Sequence, residues 1–165
     1  MKNPEYDPHK TVYLIDGTSL CYRAYYAMPG LTNTDGEPTG AVFGFFSTIR
    51  RLLREHEPRC FAVFFDAGKK TFRHDQYADY KVHRPETPSD LIVQIRTVKE
   101  LLTALAIPIF EMKGFEADDL IATAVRFLKE RRMTSVMVTS DKDMLQLVED
   151  GKVVNYNPHT GEWCD

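Results

Sequence analysis

An α/β fold is predicted: a central, mainly parallel sheet of about five strands flanked by helices. Three observations predict it. Short apolar runs alternate with segments whose apolar residues recur at helical spacing, and that alternation implies right-handed crossovers between parallel strands. The 165 residues, 43% hydrophobic and 27% charged, suit one globular domain with a sizeable core. Acidic residues recur where strands should hand over to a loop or helix, and open parallel sheets bind ligands outside those ends.

The elements follow in chain order. TVYLID (11–16) is a short apolar run ending in Asp-Gly, so a buried strand followed by a turn is expected. Residues 38–56 open with Pro38, and Phe43, Phe46, Ile49, Leu52 and Leu53 then fall at helical spacing. CFAVFF (60–65) reads as a second buried strand. Residues 67–88 are polar and charged, with Pro85 and Pro88 at the exit, and so long a connection is usually functional or mobile. Ser89 is placed to cap a helix in which Leu91, Ile95, Val98, Leu102 and Leu105 form one stripe. IPIFEM (107–112) is a third strand. A helix from about 117 turns Ile121, Ala124, Val125 and Leu128 inward. SVMVTS (135–140), a short helix over Lys142–Leu147 and KVVNYN (152–157) follow, and HTG (159–161) marks a hairpin-like turn. The chain stops at Asp165, just after that turn, and reads as cut rather than finished.

Several function classes are excluded. No apolar run approaches the roughly 18 residues of a membrane span, and MKNPEYDPHK lacks the apolar core of a secretory signal. Cys21, Cys60 and Cys164 are widely spaced and form no C-x-x-C pair, which fits a reducing, cytoplasmic setting. The five His, at 9, 56, 74, 83 and 159, have no zinc spacing. There is no G-x-x-x-x-G-K-[ST] phosphate loop and no G-x-S-x-G elbow. Leu14 stands where a D-x-D-G-T phosphatase would carry its nucleophilic Asp.

Seven carboxylates remain as candidates: Asp16, Asp66, Glu116, Asp118, Asp119, Asp141 and Asp143. Each has an ordinary local reading, as a turn former or as a helix cap. Together they recur at four strand ends, and seven acids share one pocket only if cations neutralise them or some stay protonated. Hard divalent ions such as Mg²⁺ or Mn²⁺ are the natural partners. Two such ions roughly 4 Å apart support in-line displacement at phosphorus.

The net charge of −3 conceals a basic segment. Residues 69–84 hold Lys69, Lys70, Arg73, Lys81 and Arg84 against Asp75 and Asp79, a local net of +3. Phe72, Tyr77 and Tyr80 are interleaved with them, as suits a phosphate backbone flanked by unpaired bases, or a solvated loop anchored by its aromatics. Arg23, soon after the first strand, is expected near Asp16, as an ion pair or as a clamp on a phosphate oxygen.

Four stretches then carry a resemblance: LIDGTSLCYRAYYAMPGLTNTDGEPTGAVFGF, VFFDAGKKTFRHDQYADYKVHRPETP, GFEADDLIATAV and TSDKDMLQLV. Over about residues 11–165 the chain resembles the N-terminal 5′-nuclease domain of bacterial DNA polymerase I, within the flap-endonuclease superfamily of PIN-like, resolvase-like fold. The resemblance implies that the seven acids are metal-site residues. It implies that Arg23, Lys81 and Arg84 contact phosphate, that Tyr80 stacks on the substrate near the scissile bond, and that residues about 69–88 form a helical arch around a 5′ single strand. The helix–three-turn–helix region that follows in the family, and grips duplex DNA, has no counterpart within these 165 residues.

The expected function is therefore metal-dependent 5′–3′ exonuclease and 5′-flap endonuclease activity on DNA, including removal of RNA primers, by one domain spanning 1–165. Mg²⁺, with Mn²⁺ as substitute and two ions in all, is the expected cofactor. Catalysis is expected from Lys81, Arg84 and Arg23, with Lys69, Lys70, Arg73, Tyr77 and Tyr80 along the DNA. A cytoplasmic, nucleoid-associated monomer is expected. Two rivals are a non-catalytic DNA- or metal-binding module and a PIN-type ribonuclease. Ribonucleases of that type typically manage with about four acids and no basic arch, so the seven acids and residues 69–84 argue against the second.

Overall fold

The computed structural model describes residues 6–68 and 86–165. Lys69, Lys70, Arg73, Tyr77, Tyr80, Lys81 and Arg84 lie outside the described residues.

Six strands form one sheet: β1 (Thr11–Asp16), β2 (Phe61–Phe64), β3 (Ile109–Phe110), β4 (Thr134–Val138), β5 (Val153–Tyr156) and β6 (Trp163–Cys164). Their order is β3-β2-β1-β4-β5-β6, parallel from β3 to β5, with β6 antiparallel on β5. The HTG turn thus leads into a short sixth strand. The strand order reverses direction between β1 and β4, which makes the gap above those two strands the topological switch point.

Helices cover both faces. Tyr13 and Ile15 of β1 pack with residues of α1 (Gly17–Ala27), α2 (Gly40–His56) and α3 (Ser89–Ala104). Val12 and Leu14, pointing the other way as alternate strand residues must, pack with α4 (Ala117–Glu130) and with Met144 of a 3-10 turn at Lys142–Leu147. All six residues of β1 are buried, as a central strand between two helical layers requires.

The structure corrects several expectations. Asp-Gly after β1 makes no turn: the strand passes straight into α1. Gly17 is required there by close approach, since a Cβ would sit 2.7 Å from both Val63 and the Phe65 ring. In α2 the packed stripe is Ala41, Phe45, Ile49 and Leu52, whereas Phe43 is 59% exposed. Gly44 sets this face, because a Cβ would meet Ala24 of α1 at 2.7 Å. Pro38 lies before the helix, bridged to Thr32. Ser89 does not cap α3. Pro88 holds the cap position without a side-chain bond, Gln94 takes an inward place, and Leu105 is exposed beyond the last turn. β3 shortens to two residues because it has a partner on one side only.

Candidate metal centre

β1, β2 and β4 end at one pole, and the acids gather there because the strands are parallel and in register. Asp16 is the last residue of β1 and only 4% exposed. It serves as N-cap of α1: Oδ1 accepts the Ser19 N–H at 2.9 Å, and Oδ2 accepts the Thr139 hydroxyl at 2.9 Å. Asp66 follows β2. Its N–H donates to Thr18 Oγ1 at 2.9 Å, and its Oδ1 accepts the Ala117 N–H at 2.7 Å, which ties the end of β2 to the start of α4.

Glu116 is the N-cap of α4, 8% exposed, and forms a reciprocal capping box with Asp119, whose Oδ2 accepts the Glu116 N–H at 3.0 Å. Capping therefore accounts for two of the three acids in EADD and leaves Asp118 on the open first turn. Asp141 caps the 3-10 turn through Oδ1 and the Asp143 N–H at 2.9 Å, while its own N–H donates to Thr139 Oγ1 at 3.1 Å.

Electrostatics shows which acids converge. Asp118 is pushed up to about 7, first by burial and then by the charges of Asp16, Asp141, Asp66 and Glu116. Asp16 is pushed up to about 6 by burial, against the lowering effect of the bonds from Ser19 and Thr139, with Asp66 and Asp141 adding repulsion. The charges of Asp16, Asp66, Glu116 and Asp141 thus all reach Asp118, and those of Asp66 and Asp141 also reach Asp16. Asp119 is turned to its capping bond, and Asp143 is exposed in the first turn beyond Asp141. Glu111, another acid after a strand, is paired with Lys99 at 2.6 Å and stays outside the group.

Among the described residues, no three His, Cys, Asp or Glu side chains already stand close enough to hold one ion together. Mg²⁺ rarely takes an all-protein cage. It is usually bound through one or two carboxylates, with waters and substrate phosphates completing an octahedron. An all-oxygen, mutually repelling donor set suits that mode and offers no soft ligand for copper or a thiolate-bound metal.

Arg23, on α1, donates from Nη1 to Ser140 Oγ at 3.0 Å, so it stands beside the β4 end that carries Asp141. Tyr22 bonds Thr87, and Tyr25 donates to both Asp90 oxygens at 3.0 and 2.9 Å, which ties α1 to the start of α3. A cavity of about 500 Å³ lies at the opposite pole, lined by Tyr13, His56 and Trp163 among others, and touches none of the seven candidate acids. Thr18, Ser19 and Thr139 were missed in the sequence. A Ser three residues after an Asp at a strand end is a readable cap signal; a Thr before Ser-Asp is not distinctive alone.

A family model for the 5′-3′ exonuclease N-terminal resolvase-like domain matches residues 11–163. The chain belongs to this family. DNA polymerase I of Chloroflexus aurantiacus is 45% identical over 152 residues, covering 90% of this chain and 16% of that protein. A 5′-3′ exonuclease of Aquifex aeolicus is 40% identical over 153 residues, covering 93% of this chain and 53% of that protein. The resolvase-like domain thus spans about half or less of the relatives it matches. Its fold recurs in a mutant T5 5′-exonuclease, with TM-score 0.64, 25% identity, and coverage of 93% of this chain and 52% of that one. It recurs also in a T5 5′-exonuclease solved with zinc ions bound, with TM-score 0.70, 22% identity, and coverage of 93% and 57%. Among the described residues, no helix of this resolvase-like domain is long and apolar enough to cross a membrane.

Proposed function

We propose that this chain is the 5′-nuclease domain of a replication and repair enzyme, hydrolysing DNA phosphodiesters at 5′ flaps, nicks and free 5′ ends, RNA primers included. The carrying observation is the meeting of Asp16, Asp66, Glu116, Asp118 and Asp141 at the switch point of a sheet in a chain of this family. Residues 1–165 are read as one domain, monomeric, cytoplasmic and working at the nucleoid. Mg²⁺, or Mn²⁺ in its stead, is the proposed cofactor, with two ions.

Asp16, Glu116, Asp118 and Asp141 are the proposed direct ligands. Asp66, Asp119 and Asp143 act through water. When bound, divalent ions supply Lewis acidity for in-line displacement at phosphorus. Lys81 and Arg84 stabilise charge developing on the phosphate, and Arg23, oriented by Ser140, binds a neighbouring phosphate oxygen. Tyr80 stacks on the base next to the scissile bond, while Lys69, Lys70, Arg73 and Tyr77 track the single strand.

Single-turnover cleavage of labelled 5′-flap DNA and of single-stranded RNA, with Mg²⁺ or Mn²⁺, tests this reading. Metal-dependent cleavage near the flap junction is expected, abolished by chelation and at least 100-fold slower in Asp118→Ala, as removal of a principal electrostatic stabiliser implies. Equal residual rates in the parent and Asp118→Ala would leave a binding module. Preferential cleavage of the RNA would leave a ribonuclease.

A further inference from the structure

Two of the acidic residues, Asp16 and Asp141, share a buried partner that is not itself acidic. Thr139 follows β4 and is 0% exposed. β5 clamps its backbone on both sides: the Thr139 N–H donates to the Tyr156 carbonyl at 3.2 Å, and the Thr139 carbonyl accepts from Asn155 Nδ2 at 3.4 Å. Its hydroxyl accepts the Asp141 N–H at 3.1 Å and donates to Asp16 Oδ2 at 2.9 Å. The direction of the hydroxyl bond follows from the set. A carboxylate can only accept and an amide N–H can only donate, so the proton must point at Asp16.

We propose that Thr139 is a positioning residue for the metal centre, fixing the Asp16 carboxylate and the Asp141-bearing loop relative to each other across the strand switch point. This inference rests on the metal-dependent reading above. Asp16 Oδ1 and Oδ2 each accept one protein donor, from Ser19 and Thr139 respectively, which fixes the carboxylate plane and leaves a further lone pair on each oxygen for a cation. Without the hydroxyl, the plane is held at one oxygen only. The Asp141 N–H then loses its acceptor, so the loop that brings the second acid is freed as well. Outer partners of this kind typically change metal affinity 10- to 100-fold.

The test is Mn²⁺ binding to the folded protein, measured by isothermal titration and by loss of the free-Mn²⁺ paramagnetic resonance signal. Thr139→Val keeps the shape and removes the hydroxyl; Thr139→Ser keeps the hydroxyl. We expect the dissociation constant for Mn²⁺ to rise at least tenfold in Thr139→Val and to stay within about twofold of the parent in Thr139→Ser. A purely structural role would lower the melting temperature in chelator and leave the Mn²⁺ constant of the folded protein unchanged. Should Thr139→Val not fold, Thr139→Ala carries the same comparison. Equal constants in the parent and the hydroxyl-free variant overturn the inference, as does a Thr139→Ser variant as weak as Thr139→Val. If the parent itself takes up no Mn²⁺, the metal-dependent reading falls and this inference with it; a parent that binds beside an unaffected Thr139→Val sinks the positioning role alone.

Discussion

At the scale of single residues, Asp118 shows how a site can store repulsion. Its carboxyl titrates near 7 in the fold against an ordinary 3.8. The folded chain therefore keeps a proton that the unfolded chain has released, and the contribution of this group to stability falls as pH rises from about 4 to about 7. Asp16, at about 6, adds to the same trend. His56 opposes it, because burial lowers its pKa and the fold gains as the unfolded imidazole loses its proton. Asp118→Asn isolates the carboxylate contribution. In chelator at pH 8 we expect this variant to be more stable than the parent by roughly 2 kcal/mol, and the gap to shrink to less than half of that at pH 5. Urea unfolding at the two pH values measures it; an Asn variant that is less stable at pH 8 would contradict the repulsion. The acids themselves were legible in the sequence because carboxylates after apolar runs are conspicuous. The hydroxyls of Thr18 and Thr139 were not, because a Thr becomes the partner of a distant Asp, at its backbone N–H or its carboxylate, only when two chain segments meet.

At the scale of elements, α1 and α2 owe their placement to small residues and borrowed caps. α1 escaped the sequence reading although Gly17, Leu20, Cys21 and Ala24 repeat at i, i+3, i+4 and i+7. Asp-Gly suggested a turn, and only the nearness of Val63 and Phe65 explains that glycine. α2 begins at Thr39, whose side chain makes no cap bond. Gln94 of α3, 2% exposed, supplies the missing acceptor, with its Oε1 taking the Ala41 N–H at 2.8 Å. Gln94→Leu removes this acceptor and leaves a buried N–H orphaned, so a loss of about 1–3 kcal/mol is expected in urea unfolding. A loss below about 0.5 kcal/mol would mean that α2 finds its cap elsewhere. No pattern within 38–56 announces a cap that comes from more than fifty residues away.

At the scale of the whole molecule, sheet and acid cluster are coupled, because the same strand ends that close the core carry the repelling charges. A divalent ion that binds the folded chain and not the unfolded one must raise stability by mass action. At pH 8 and a hundredfold excess over its dissociation constant, Mn²⁺ should add about 2.7 kcal/mol, or roughly 5–10 °C in melting temperature for a chain of this size. Thermal melts with and without chelator check this; a flat response up to millimolar Mn²⁺ would contradict a cation site at the switch point. By itself the sequence determined the α/β class, five of the six strands to within about two residues, α4 with its inward stripe, and the presence of acids at the strand ends. Those are local properties, written in apolar periodicity and in residue type. Only the tertiary structure decided the strand order, which acids face one another, and which are spent on caps. Asp118 meets Asp16, Asp66 and Asp141 because β1, β2 and β4 lie side by side, whereas Asp119, its neighbour in the chain, is turned back onto its own helix. Such choices rest on contacts between residues tens of positions apart, and no local pattern encodes a distance of that kind.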